Sequence, residues 1–224
     1  MIKHNRFWWL LTLASAGLLW IVFRFEPLRA IKLGALLGTG FLGLTLVPNN
    51  SITWVPSSFQ TLRQLLKWAL VKRRDFGITS GIIFIVHALM SWIALGNLSV
   101  TFLFSQPILF GVVGLIILGI LLLTSNDYSV HVLRRKWKVF HNLIWVAIPF
   151  LLLHSVLAAT IFSGEYSKIG ILGFGGLIGL VLVEVVLKLC FPKRVPASRW
   201  DHIKLVTIGV ILAMALFVVY PSNK

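Results

Sequence analysis

The chain has 224 residues, 58% hydrophobic and only 12% charged, with a mean hydropathy of +0.94. That balance excludes a water-soluble domain, and the recurrent apolar runs of about 18 residues or more each suffice to cross roughly 30 Å of hydrocarbon. A net charge of +15, with 21 Lys and Arg against 6 Asp and Glu, would suggest nucleic acid in a soluble protein; here the cations sit between apolar runs as topology signals, so a nucleic-acid partner is excluded.

In chain order, the N-terminal "MIKHNRFWWLL" is not followed by a short apolar run with a small-residue cleavage site, so the first run reads as a retained helix. Seven helices are expected, over 7–23, 30–47, 76–95, 107–124, 138–161, 169–190 and 203–220. The fold class is all-α: a polytopic transmembrane helical bundle with six core helices and a seventh at the C-terminus. Gly34 and Gly38 in the second helix, and Gly175 and Gly179 in the sixth, are small-xxx-small pairs that let helices approach closely in lipid. No GxGxxG is present, so these glycines are not a nucleotide loop. Before the third helix, "SSFQTLRQLLKWALVKRR" sets Phe59, Leu62, Leu65, Leu66, Ala69 and Leu70 at helical spacing among cations. It reads as an amphipathic helix in the membrane interface, with docking of a cytosolic partner as the weaker alternative.

Orientation follows from the cations. Lys3 and Arg6; Arg63, Lys67, Lys72, Arg73 and Arg74; Arg134, Arg135, Lys136 and Lys138; and Lys188, Lys193, Arg194, Arg199 and Lys204 fall on one side. Arg24, Arg29, Lys32, Lys168 and Lys224 fall on the other. The richer side is cytoplasmic, which puts the N-terminus inside.

Six histidines are present. His4, His131 and His202 lie near membrane ends or in loops and read as solvated. His87, His141 and His154 fall within apolar runs. Ionisable groups at membrane depth are costly and normally face the bundle interior with a partner, which for a lone histidine is a neighbouring carbonyl. Three of them on two parallel helices suggest more. His87 and His154 fall at an outer level, and His141 falls at an inner level with Arg73 and Arg74. Thirteen residues rise about 20 Å, which suits two flat cofactors stacked through a bilayer. Haem b is the economical occupant: its iron takes axial imidazoles, its ring is apolar and its propionates need cations. Zinc would need about four ligands. The one carboxylate well inside a run, Glu184, has Lys188 four residues on as a partner. The single cysteine, Cys190, excludes an internal disulfide, a four-thiolate cluster and CxxCH haem attachment. One difficulty is rotational: thirteen residues at 100° leave His141 and His154 about 220° apart on an ideal helix. Pro149 lies between them and can kink the helix and shift the register; alternatively, the two sites lie on different sides of that helix.

Arg73-Arg74-Asp75-Phe76-Gly77 followed by His87, then Thr124-Ser125, the basic turn, Trp137-x-x-x-His141-Asn142 and His154, resembles the ferric-reductase-like transmembrane family. The resemblance covers about residues 73–160. It implies a haem-binding helical core over 73–192, flanked by N-terminal helices and an interfacial segment over 1–72 and by a C-terminal loop and helix over 193–224. It also implies that His87 and His154 are the axial pair of one b haem and that His141 ligates a second. Arg73 stands where a fourth histidine would, in the manner of the branch that serves periplasmic methionine sulfoxide reductases, and Arg73 and Arg74 are expected to contact haem propionates. Two features depart from the pattern: the first 72 residues match poorly, and a seventh helix follows a six-helix core.

The expected function is therefore electron transfer across a bacterial-type inner (plasma) membrane. The chain holds no flavin or nicotinamide module, so a separate cytoplasmic-side donor is implied, either a flavin reductase bringing its own flavin or a quinol. A separate acceptor is implied on the opposite face, with a methionine sulfoxide reductase first among the candidates. A ferric or cupric ion reductase subunit is the alternative. A proton-coupled transporter with a histidine relay ranks lower, since no internal repeat is evident. A purely structural membrane subunit ranks lower too. Trp92 and Trp145 are expected to pack rather than carry electrons.

Overall fold

The computed structural model describes residues 6–46, 55, 58–105, 108–161 and 209. These form helices joined by short turns, with no strand among the described residues. The expected helices over 169–190 and 203–220 lie outside the described residues except for Gly209, as do His4, His202, Gly175, Gly179, Glu184, Lys188 and Cys190. Among the described residues, Pro27–Thr45, Arg73–Ala94 and Arg135–Ser155 are long and apolar enough to cross a membrane. A fourth such span arises if the bent pair Ile108–Leu123 and Asp127–Leu133 is counted as one. The chain divides into two compact units, Met1–Leu98 and Ser99–Lys224.

The first unit contains α1 (Arg6–Phe25), α2 (Pro27–Thr45), α3 (Gln60–Val71) and α4 (Arg73–Ala94). The start of α2 lies three residues ahead of the expected position because Pro27 occupies its first turn, where a missing N–H is harmless and the fixed φ already suits a helix. Only Glu26 separates α1 from α2, and its carboxylate meets Arg29 at 3.2 Å on the surface. The start of α4 is also early. Asp75 in its first turn suits the positive end of the helix and pairs with Lys72 at 3.4 Å.

The antiparallel packing of α2 against α4 rests on glycine. A Cβ on Gly38 would stand 2.9 to 3.1 Å from three ring atoms of Phe84, so only a bare Cα lets that ring lie on the α2 backbone. One turn earlier, Ser80 Oγ donates to the Gly38 carbonyl at 2.8 Å. Helix α1 adds a buried contact between the Thr12 and Thr79 hydroxyls at 2.8 Å. Leu19, Ala30, Ile31, Ile83 and Met90 form the buried core. A second cluster centres on Ala69 and Phe76, with Trp68 edge-on to Phe76 at 5.4 Å and Phe41 stacked on it at 6.2 Å. Helix α3 realises the expected amphipathic segment. Ala69 is buried and Arg63, Leu66 and Leu70 are half-buried, while Phe59, Leu62, Leu65, Trp68 and Val71 are exposed.

The second unit contains α5 (Val100–Leu103), α6 (Ile108–Leu123), α7 (Asp127–Leu133), α8 (Arg135–His141) and α9 (Ile144–Ile161). The basic turn of the sequence reading is therefore two short helices, and α7 leaves α6 at 87°. The corner follows from three polar side chains in a row. Thr124 Oγ1 donates to the Ile120 carbonyl at 2.9 Å, Ser125 Oγ to Leu121 at 2.6 Å and Asn126 Nδ2 to Leu123 at 2.7 Å. Together with the Thr124 and Ser125 N–H groups, which donate to the Ile120 and Leu122 carbonyls at 3.1 Å, they satisfy the last carbonyls of α6. Asn126 Oδ1 then accepts from the Ser129 N–H at 2.7 Å and caps α7. Arg134, at φ 47°, turns the chain into α8. Helices α6 and α9 pack antiparallel, again through glycine: a Cβ on Gly114 would meet the Leu151 side chain at 2.8 Å.

Candidate functional site: the membrane histidines

Of the four described histidines, His131 is exposed on α7, as expected of a solvated residue, whereas His87, His141 and His154 are half-buried within the helical units. Among the described residues no three His, Cys, Asp or Glu side chains come together as a metal-binding group.

In the first unit, His87 sits on α4 with its Nδ1 2.9 Å from the Ile31 carbonyl of α2. A carbonyl can only accept, so the neutral ring carries its proton on Nδ1 and its lone pair on Nε2. The imidazole comes this close because Gly34 lies opposite: a Cβ there would stand 3.3 Å from His87 Cβ and 3.5 Å from Met90 Cε. This is the neighbouring-carbonyl bond expected of any membrane histidine. It is also the arrangement that orients a metal-ligating imidazole, with one ring nitrogen donating to the protein and the other held basic.

In the second unit, His154 on α9 abuts Gly111 of α6. A Cβ on Gly111 would lie 2.8 Å from Nδ1 and 3.0 Å from both Cε1 and Cγ. All three ring atoms lie at nearly the same distance, so the position falls over the ring face at Nδ1 and the imidazole packs flat against Gly111. His141 closes α8. Its Nε2 lies 3.1 Å from Ser125 Oγ and its Nδ1 3.3 Å from the Trp137 carbonyl. Its ring stacks on the Trp137 indole, 3.9 Å between centroids. Trp137 is anchored in turn by its indole N–H, which donates to the Thr124 carbonyl at 3.0 Å. The four-residue spacing of Trp137 and His141 thus becomes one stacked face of a helix, set against the corner made by Thr124 and Ser125.

The rotational difficulty has a structural answer. Asn142 bonds back to Val139, Leu143 to Phe140, Trp145 to Asn142 and Val146 to Leu143, all three residues apart. Asn142 also reaches Lys138 and Ala147 reaches Leu143, four residues back, so the tightening is partial. A turn of this kind advances more than about 100° per residue and brings the two histidines nearer one face than an unbroken helix would. Both accordingly meet the same element, His154 at Gly111 within α6 and His141 at Ser125 just beyond its end. The tightened turn precedes Pro149, which lies inside α9. Proline brings no N–H for the carbonyl four residues back, that of Trp145, and its ring crowds that group.

Arg73 and Arg74 open α4, both half-buried, with Arg73 Nε itself buried. Trp145 is buried, at 9% exposure. Sequence reasoning missed Gly111, Gly34, Ser125 and Ile31 as the groups that hold the three imidazoles. Gly34 was visible as half of a helix-packing pair, and Ser125 as part of the resemblance. Gly111 and Ile31 carry no signal of their own, because each matters only through the helix opposite.

These features define an integral membrane protein whose apolar helices carry oriented imidazoles. Over 89 residues, 40% of its length, the chain is 28% identical to the protein-methionine-sulfoxide reductase heme-binding subunit MsrQ of Brucella anthropi, a distant relationship that supports a membrane redox role. The match spans 38% of that relative's length. No family model matches the chain, and no solved structure matches it.

Proposed function

We propose that this chain is a b-haem-binding membrane subunit that passes electrons across a bacterial inner membrane, with His87 and His154 as axial ligands. The observation that carries the reading is His87 Nδ1 at 2.9 Å from the Ile31 carbonyl, which fixes the ring and leaves the basic lone pair on Nε2. The residues fit the group on a second count: the bare Cα of Gly111 lets the His154 ring lie flat against α6, which fixes the plane of the imidazole. Haem b, when bound, supplies one-electron iron chemistry. The chain's own part is to hold two imidazoles, keep water from them with apolar helices, and offer cations. Arg73 and Arg74, at the start of α4, are the groups assigned to the propionates.

The reading assigns one haem to the pair His87 and His154. A second, at His141, would require its Nε2 to give up Ser125 Oγ, now 3.1 Å away. The N-terminus is assigned to the cytoplasm from the distribution of cations. The donor is a flavin reductase or quinol on that face, and the acceptor on the other face is a methionine sulfoxide reductase, in line with the printed name of the similar protein. Helix α3 lies in the interface, its exposed Leu62, Leu65 and Trp68 among the acyl chains and its cations at the headgroups.

The test is optical. The full chain, expressed with haem supply and purified in mild detergent, should give a reduced-minus-oxidised b-type spectrum and close to one haem per chain by pyridine haemochrome. A colourless, correctly inserted protein would end this reading.

A further inference from the structure

The two units repeat one piece of design. In the first, Gly34 of α2 faces His87 of α4, and Gly38 faces Phe84, three residues before the histidine. In the second, Gly111 of α6 faces His154 of α9, and Gly114 faces Leu151, again three residues before the histidine. Each antiparallel pair thus sets one glycine under a histidine and another under a large apolar side chain one turn away. In both, the glycine lets the imidazole close on the earlier helix: His87 near enough for Nδ1 to bond the Ile31 carbonyl, His154 with its ring face laid against Gly111.

We infer that Gly111 is a positioning residue that sets the orientation of the His154 imidazole, with Gly34 the weaker counterpart for His87. The inference rests on the haem reading above for its spectroscopic test, but its argument is steric. The absent Cβ of Gly111 would fall 2.8 Å from Nδ1 and 3.0 Å from its two ring neighbours, well inside van der Waals contact. Those atoms belong to a rigid ring, so the clash cannot be relieved by bending a flexible tip. The whole imidazole must swing or shift, and Nε2 moves with it. A ligand constellation works only within about 0.5 Å of its productive geometry. At Gly34 the contact is with His87 Cβ at 3.3 Å, so the displacement there is smaller.

The same helix pair supplies the control for ordinary packing. Gly114→Ala makes an equally close contact, 2.8 Å, but with Leu151 rather than an imidazole, while Gly119→Ala meets nothing within 4 Å. The experiment compares G111A, G114A, G119A and G34A in the full chain, reading haem affinity per folded chain and the g-values of the oxidised haem by electron paramagnetic resonance. G111A should lower haem affinity about 10-fold to 100-fold, the range for loss of support to a metal ligand, and should shift the g-values. G114A should melt earlier yet hold haem with wild-type g-values, and G119A should match wild type. G34A should shift the g-values in the same sense but less.

A colourless wild type would refute the haem reading itself. A haem-loaded wild type with G111A indistinguishable from G119A would refute only the positioning role. Equal losses in G111A and G114A would also overturn it, by showing that glycine serves helix packing alone. Should G111A not fold, G34A decides: unchanged g-values there refute the shared design.

Discussion

His87 offers a substitution that separates tether from ligand. Asparagine places an N–H donor close to where imidazole Nδ1 stands and has nothing at Nε2, so His87→Asn keeps the bond to the Ile31 carbonyl, now 2.9 Å, and removes the basic nitrogen. His87→Leu removes both. A hydrogen bond of this kind contributes about 0.5–1.5 kcal/mol net, and 1 kcal/mol moves the melting temperature of a chain of 150–250 residues by about 2–4 °C. The haem-free H87L protein is therefore expected to melt about 2–4 °C below haem-free H87N, followed by circular dichroism in one detergent. Haem content should not follow that ranking: by pyridine haemochrome both variants should hold essentially none. H87N with wild-type haem would refute the axial role of His87. H87L as stable as H87N would refute the tether, and with it the argument for which nitrogen is basic.

Gly38→Ala presses a methyl against the Phe84 ring at about 3 Å and should destabilise the α2–α4 pair by about 1–3 kcal/mol. Gly40→Ala, with nothing within 4 Å, should be neutral or stabilising by up to about 1 kcal/mol. Thermal unfolding of the two side by side gives the answer, and equal melting temperatures would contradict the close packing. For α3, Cys190 is the sole cysteine, so a Cys190→Ser background allows nitroxide labels at Gln64→Cys and Leu65→Cys. In vesicles the label at 65 should be relaxed by oxygen, and that at 64 by a water-soluble nickel chelate. Exposure of both labels to nickel would remove α3 from the lipid interface.

Among the described residues the helices are legible where apolar length sets them, and their ends are not. Pro27 moved the start of α2 earlier than its hydrophobic run suggested, because a first-turn proline is a start signal rather than a break. The polar run Thr124-Ser125-Asn126 is readable in hindsight as a stop followed by a cap. It was absorbed into a loop because basic residues beyond it dominated the reading. Pro149 reads as the residue able to disturb the register between His141 and His154. The tightened turn itself lies at Asn142–Val146, toward the helix start, where the carbonyl deprived of a donor is found. The histidines stood out because charge-capable groups are rare in apolar runs. Their partners did not, since a carbonyl belongs to every residue and a glycine declares its purpose only when the helix across from it is known.

The link between α1 and α2 bears on how the two helices are held together. Thr12 meets Thr79 while Gly34 and Gly38 meet His87 and Phe84, so α1 and α2 run in opposite directions with only Glu26 between Phe25 and Pro27. A connection of one residue leaves no slack for α1 to move independently of α2. The two helices therefore meet as a hairpin without a loop, and inserting even a few residues at the corner would free α1 to slide along α4 and loosen the Thr12–Thr79 contact.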